Sequence, residues 1–353
     1  MPPYVFPAIF AFILTILLTI GALKYFPKWK LMDRPKKYGL KRKPIPYYGG
    51  LVLITVFVLS VLIFVKLDIN VIGVLIGALM IAGISFLDDF KDINPWIRLS
   101  VQVLAALTIV IAGIGIKSIS NPFGGDIILD KYWIDISFGE NILQFTILAD
   151  IFTIIWIVLI VNTMNFLDGL NGLVTGVGFI ASITIFFLSM GEYHVVDQTT
   201  VATLAIIVSS MCLAFWIFDF HPAKILLGDT GSMLIGFLLA VFAIFAGGKV
   251  ATAFLVLGFP ILDAFWVITR RIVKGQSPMK GDLKHLHHRL LEVGLSERKA
   301  LILIYLLCAF FGGSAIFLGT TGKLYLIIVM GLLMVIMASM IVFYGLKNLS
   351  KSG

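Results

Sequence analysis

Eleven apolar runs, at about 4–26, 49–67, 71–88, 98–117, 143–162, 172–190, 199–218, 231–247, 250–269, 299–318 and 324–346, set the first limit on what this chain can become. Each is near the roughly 20 residues that carry a helix across a bilayer. In lipid the backbone must satisfy its own hydrogen bonds, which leaves helices or closed barrels. Runs this long and this uniformly apolar are helical spans, so the expected fold is an all-α polytopic membrane bundle of about 11 transmembrane helices. Composition agrees: 60% of the 353 residues are hydrophobic and 13% charged, against about a quarter charged in soluble domains. The loops are too short for a soluble module, so residues 1–353 are read as one integral domain. The run at 4–26 is too long for a signal core and no small-residue cleavage site follows it, so it is read as the first span. Cys212 and Cys308 lie inside apolar runs and are read as packing residues.

Basic residues near span ends stay in the cytoplasm. The odd-numbered loops and the C-terminal tail hold 22 of the 27 Lys and Arg, and the other side holds 5. The split places the N-terminus outside and the loops 24–48, 88–98, 162–172, 219–230 and 270–298 in the cytoplasm. The net charge of +8 is then a property of that face, which suits anionic lipid or nucleotide; nucleic-acid binding has no separate support. On the outer side, 126–138 (DIILDKYWIDISF) alternates apolar and polar residues about Asp130-Lys131, and predicts a small external β-hairpin.

The polar clusters all fall on the cytoplasmic side. LDDFKDI (87–93) sets Asp88, Asp89 and Asp92 at the end of a span. Ionisable groups there are costly and mark functional sites, and three carboxylates suit a base or a hard divalent cation better than zinc. In NTMNFLDGLNGL (162–173), Asn165, Asp168 and Asn171 recur every three residues and share one helical face. Their donors and acceptors suit a nucleobase edge or sugar hydroxyls. In LLGDTGS (226–232), Asp229 is either a site residue that shares a face with the other acids or part of a helix start capped by Thr230 or Ser232, whose N-terminal amides favour phosphate. The last loop carries Arg270, Arg271, His285, His287, His288 and Arg289, a clamp for sugar or phosphate, with a transition-metal site and a solvated loop as competing readings. Lys41, Arg42 and Lys43 precede a rigid Pro-x-Pro and a Gly-Gly pair at a span entrance. Such groups suit transfer of a phosphoryl-linked group at a membrane surface. A secondary transporter is the rival class, but it would place coupling residues near the midplane and often show repeats; here only Asp263 lies well inside a predicted span.

At these motifs the chain resembles the polyprenyl-phosphate N-acetylhexosamine-1-phosphate transferases, glycosyltransferase family 4, in the branch of the bacterial N-acetylglucosamine-1-phosphate enzymes. The matching segments are KPIPYYGG (43–50), LDDFKDI, NTMNFLDGLNGL, LLGDTGS, FPILDAFWVITRR (259–271) and GQSPMKGDLKHLHHRLLEVGLS (275–296). The resemblance implies transfer of N-acetylglucosamine 1-phosphate from UDP-N-acetylglucosamine to undecaprenyl phosphate, with release of UMP. It implies Mg2+, or Mn2+ in its place, and a cytoplasmic active site in a bacterial plasma membrane. Phospho-MurNAc-pentapeptide or another UDP-amino sugar is the alternative donor. The implied partners are those two substrates and membrane lipid, with no nucleic acid and a homodimer as a candidate assembly. Residue by residue, the resemblance makes Asp88, Asp89 and Asp92 the catalytic acids, with Asp88 orienting the lipid phosphate, and makes Asp229 the metal ligand. Asn165 and Asp168 contact nucleotide, and His285, His287, His288 and Arg289 hold sugar and diphosphate, assisted by Arg270 and Arg271. Lys43 is placed near the nucleotide. Many relatives read DGLDGL where this chain reads DGLNGL, so Asn171 is left with hydrogen bonding alone.

Overall fold

A computed structural model describes residues 3–35, 42–91, 93–121, 123–138, 141–190, 198–245, 250–273, 275 and 285–349. It is a helical membrane bundle. Its helices are α1 (Val5–Tyr25), α2 (Gly50–Phe64), α3 (Ile69–Lys91), α4 (Pro95–Ile111), α5 (Ile147–Leu167), α6 (Leu173–Ser189), α7 (Thr199–Asp219), α8 (Gly228–Phe245), α9 (Val250–Val256), α10 (Gly258–Val273), α11 (Leu286–Glu292), α12 (Glu297–Phe317) and α13 (Thr320–Leu349). Every predicted run overlaps a helix, or, for 250–269, the α9/α10 pair, which bends by 80°, while 143–162 begins in a strand and turns helical at Ile147. The bend coincides with Gly258 and Pro260, residues that break helical continuity.

By length and apolarity alone seven helices suffice to cross a membrane, or eight with the bent pair, which supports seven or eight of the eleven expected spans. The shortfall is in α2, α4 and α6, of 15, 17 and 17 residues. At about 1.5 Å per residue they rise about 22–26 Å, at the short end for the roughly 30 Å hydrocarbon core.

α8 is the hub. Every residue from Thr230 to Ile244 is buried, and α5, α3, α2 and α6 pack around it. A helix apolar on all sides belongs at a bundle centre, which fixes the position of whatever stands at its first turn. α1 packs on α7 and α2, as a span does.

The expected 126–138 hairpin is corrected. Four strands, β1 (Ser118–Ser120), β2 (Asp126–Ile128), β3 (Trp133–Phe138) and β4 (Asn141–Thr146), form two antiparallel pairs, β1 with β2 and β3 with β4. Both halves of 126–138 are extended, but each pairs outward. At the β1/β2 turn Asn121 accepts from the Phe123 amide at 3.0 Å and donates to the Gly124 carbonyl at 3.0 Å, side-chain bonds that close the chain there. The hairpins join α4 to α5, at the opposite end of those helices from the site residues.

Candidate active site

The C-termini of α3, α5 and α7 and the N-terminus of α8 meet at one end of the bundle, around a cavity of about 390 Å³. Its lining includes Asp88, Asp89, Asp168, Asn171, Asp219 and Asp229, with Arg34 and Arg42 also on the wall. Four motifs far apart in sequence therefore form one site.

Asp89 binds the first turn of α8. Its Oδ1 accepts from the Tyr47 hydroxyl at 2.9 Å and the Asp229 amide at 3.2 Å, and its Oδ2 accepts from the Thr230 amide at 3.1 Å and hydroxyl at 2.7 Å. First-turn amides have no partner inside their own helix. A carboxylate from α3 supplies it here, a role that sequence reasoning gave to Thr230 or Ser232. Burial and the adjacent Asp89 push the Tyr47 phenol well above its ordinary range, so it remains a donor. The Tyr47 loop is itself pinned to the α8 entrance: Gly49 and Gly50 donate to the Leu226 and Leu227 carbonyls, both at 2.9 Å. A Cβ on Gly50 would lie 2.3 Å from the Gly231 nitrogen, so this close approach requires glycine.

Asp88 faces the cavity differently. Its Oδ1 accepts from the Ile93 amide at 2.7 Å, and its Oδ2 pairs with Arg98 Nη1, which also lies 3.4 Å from Asp229 Oδ2. Arg98 thus joins two acids from different helices. Sequence reading had used it only as a topological charge. The available signal was Asn94-Pro95: Asn94 Oδ1 accepts from the Trp96 amide at 2.9 Å, and Pro sits at the first position, so a new helix starts there and Arg98 falls in its first turns.

The wall opposite comes from α5 and its loop. Asn165 reaches Ser232 Oγ at 3.4 Å. Asp168 is the C-cap of α5. Burial first, then Asp219, Asp229 and Asp89, push its carboxyl well above the usual range. Beyond it, Asp219 Oδ2 accepts from the Gly172 amide at 3.1 Å and Thr175 Oγ1 at 3.0 Å, holding the 168–172 loop to α7.

The histidine segment does not line the cavity but backs its wall. His287 is 1% exposed, and a Cβ on Gly169 would lie 2.1 Å from its Nε2, so glycine is what lets the ring seat there. Neither ring nitrogen of His287 has a hydrogen-bond partner among the described residues. Burial first, then His288 and His285, hold its pKa well below the ordinary value, and the ring is neutral. His285 stacks in parallel with His287 at 5.7 Å, 1° between planes, and against Phe166 at 5.7 Å. His288 lies 4.2 Å from His287, and Arg289 is on α11 with it. Arg270 and Arg271 close the last turn of α10, with Arg271 buried. Lys43 is exposed and outside the cavity lining, where Arg34 and Arg42 stand instead; Arg42 is paired to Asp33 at 2.6 Å. Asp92 lies outside the described residues.

An acid-lined cavity with cationic groups, set at one end of a polytopic bundle, defines a membrane protein built to handle a phosphorylated ligand. Comparison with known proteins gives the family. A model described as "Glycosyl transferase family 4" matches residues 71–247, half the chain, from α3 through the end of α8. Over 314 residues the chain is 30% identical to a probable undecaprenyl-phosphate N-acetylglucosaminyl 1-phosphate transferase of Bacillus subtilis (strain 168), covering 87% of this chain and 82% of the relative. It is 31% identical over 318 residues to a decaprenyl-phosphate N-acetylglucosaminephosphotransferase of Mycobacterium leprae (strain TN), covering 80% and 76%. It is also 29% identical over 288 residues to an undecaprenyl-phosphate alpha-N-acetylglucosaminyl 1-phosphate transferase of Thermotoga maritima, covering 80% and 78%. The chain belongs to glycosyl transferase family 4, and it is a multi-pass membrane protein.

Proposed function

We propose that this protein transfers N-acetylglucosamine 1-phosphate from UDP-N-acetylglucosamine to undecaprenyl phosphate, releasing UMP, as the first membrane step of an envelope polysaccharide. The printed activities of its relatives support the reading. The observation that carries it is the convergence of Asp88 and Asp229, joined by Arg98, on the cavity that Asp168 and Asn171 also line. The 22-to-5 distribution of basic residues supports a cytoplasmic site in the plasma membrane, with the N-terminus outside.

The site suits magnesium, or manganese in its place. Asp88 Oδ2 and Asp229 Oδ2 already share one positive group, the Arg98 guanidinium, and their oxygens are hard donors. No group of three or more His, Cys, Asp or Glu among the described residues could hold a metal. Two such carboxylates suit an ion that takes the rest of its shell from substrate phosphates and water, as magnesium prefers. Asp229, with Asp88, would hold it, and when bound it would neutralise diphosphate charge.

Arg98, held in place by Asp88, then orients the acceptor phosphate. One of its oxygens bonds to the β-phosphorus while the bond from that phosphorus to the UMP oxygen breaks. A phosphate monoester is largely dianionic near neutral pH, so direct attack needs no strong base, and positioning supplies most of the rate. Asn165, Asp168 and Asn171 address the nucleotide. His287 backs the cavity wall behind Gly169, and His288 and Arg289 on the same helix are the groups of that segment that address the sugar-diphosphate end.

Purified protein given magnesium, UDP-N-acetylglucosamine and undecaprenyl phosphate should release UMP, and decaprenyl phosphate in a parallel reaction reports on acceptor length. No UMP with any UDP-amino sugar would overturn the reading.

A further inference from the structure

Asp263 lies on α10, within the bent membrane pair, and is 8% exposed. An acid so placed is costly and is normally paired. Both of its oxygens are used: Oδ2 is 2.9 Å from His285 Nδ1, and Oδ1 accepts from the Leu286 amide at 2.8 Å. Leu286 is the first residue of α11, and His285 is its N-cap, whose own side chain makes no capping bond. The cap is therefore supplied from α10. A carboxylate only accepts hydrogen bonds, so His285 donates from Nδ1 and its Nε2 carries the lone pair when the ring is neutral.

From there the contacts run in one direction. The His285 ring stacks on Phe166 of α5 and lies parallel to His287, and His287 seats on Gly169 of the cavity wall. One carboxylate thus fixes the start of α11, the tautomer of one ring, and through stacking the place of the next.

We propose that Asp263 is a positioning residue for the nucleotide-sugar donor: it sets the His285 tautomer and registers the 285–288 segment against the Asp168–Asn171 wall. The proposal rests on the donor reading above, and it differs from a bare helix cap in one respect. Asn at 263 keeps an acceptor for the Leu286 amide, but its NH2 cannot accept from Nδ1–H, so the ring must move its proton to Nε2. If Asp263 were only a cap, Asp263→Asn would behave as the wild type.

Two readouts test this. In steady-state kinetics with UDP-N-acetylglucosamine and undecaprenyl phosphate, Asp263→Asn should raise the donor KM by about tenfold, equivalent to about 1.4 kcal/mol. The acceptor KM and the thermal midpoint should stay within about twofold and a few degrees of wild type, because the shape is kept. The double variant Asp263→Asn/His285→Asn should be no worse than the poorer single one. In solid-state NMR of protein labelled with [15N]histidine in liposomes, His221 Nδ1 also faces a carboxylate, that of Glu297, so the His285 signal is the protonated Nδ1 resonance that disappears in His285→Asn, and the same resonance should be lost in Asp263→Asn. An unchanged donor KM, an equal rise in both KM values, or survival in Asp263→Asn of the resonance assigned to His285 Nδ1–H would each overturn the proposal. If the wild type turns over no UDP-sugar, the donor reading fails by itself, and the NMR signal still decides whether Asp263 sets the ring.

Discussion

Replacing Asp89 separates architecture from chemistry at the α8 entrance. Its two oxygens serve four donors: the Tyr47 and Thr230 hydroxyls and the Asp229 and Thr230 amides. In Asp89→Asn, whichever way the amide is turned, its NH2 meets one backbone N–H and one hydroxyl. The hydroxyl can rotate to accept, but the backbone N–H cannot. One unpaired N–H costs about 1–3 kcal/mol when dry, and the adjoining cavity admits water, so about 1 kcal/mol is expected. Asp89→Ala leaves both backbone amides unpaired and should lose about 2 kcal/mol. Denaturant unfolding in detergent micelles, followed by tryptophan emission, measures the difference. Because Asp229 stands in the turn that Asp89 holds, turnover should fall in step with the loosened cap. Wild-type stability in Asp89→Ala would refute the capping argument, and wild-type stability with abolished turnover in Asp89→Asn would assign its carboxylate to chemistry.

Asp229→Ala and Asp88→Asn should each lower kcat by about 100–1000-fold, the usual cost of losing a group that stabilises developing charge, with unfolding midpoints near wild type; wild-type rates would remove the residue from the mechanism. Gly169→Ala places a Cβ 2.1 Å from His287 Nε2 and 3.0 Å from two ring carbons, so it should cost about 1–3 kcal/mol as overpacking and impair donor binding, read by unfolding and by donor KM. His287 titrates below its ordinary value because it is buried, so the unfolded chain takes up the proton first. Its contribution to stability is present above about pH 6.5 and is lost as pH falls below it, with a slope of up to about 1.4 kcal/mol per pH unit. The stability of His287→Gln relative to wild type should therefore improve from pH 7 to pH 5, and a pH-independent difference would mean that the ring is not buried neutral. Asp168 titrates in the opposite sense, since its raised carboxyl favours the fold at low pH, but it is common to both proteins and cancels in that comparison.

Much of this arrangement was legible in the chain, for physical reasons. Span-length apolar runs leave little choice but helices, and loop parity alone put LDDFKDI, NTMNFLDGLNGL and LLGDTGS on one side, where the structure joins them around one cavity. What was not legible depends on which partner a group finds. Three acids in LDDFKDI look equivalent in sequence, yet Asp89 turns to the α8 amides and Asp88 to Arg98. Arg98 itself was hidden among the basic residues that set topology. Tyr47 was hidden inside the Pro-rich entrance. Asp263 did carry a signal, as an acid within a span, but its partners lie in a loop 22 residues on. The histidines were read as one clamp, whereas stacking buries His287 and leaves His288 partly exposed. The hairpin failed because alternation marks strands without naming their partners.

The most direct measurement is mass spectrometry of the lipid product, with UMP quantified in parallel, after incubating purified protein with magnesium, undecaprenyl phosphate and UDP-N-acetylglucosamine. The expected result is undecaprenyl diphospho-N-acetylglucosamine and UMP in equal amounts, both missing with Asp229→Ala. Release of UDP in place of UMP, or a lipid product carrying one phosphate, would contradict attack at the β-phosphorus and with it the proposed reaction.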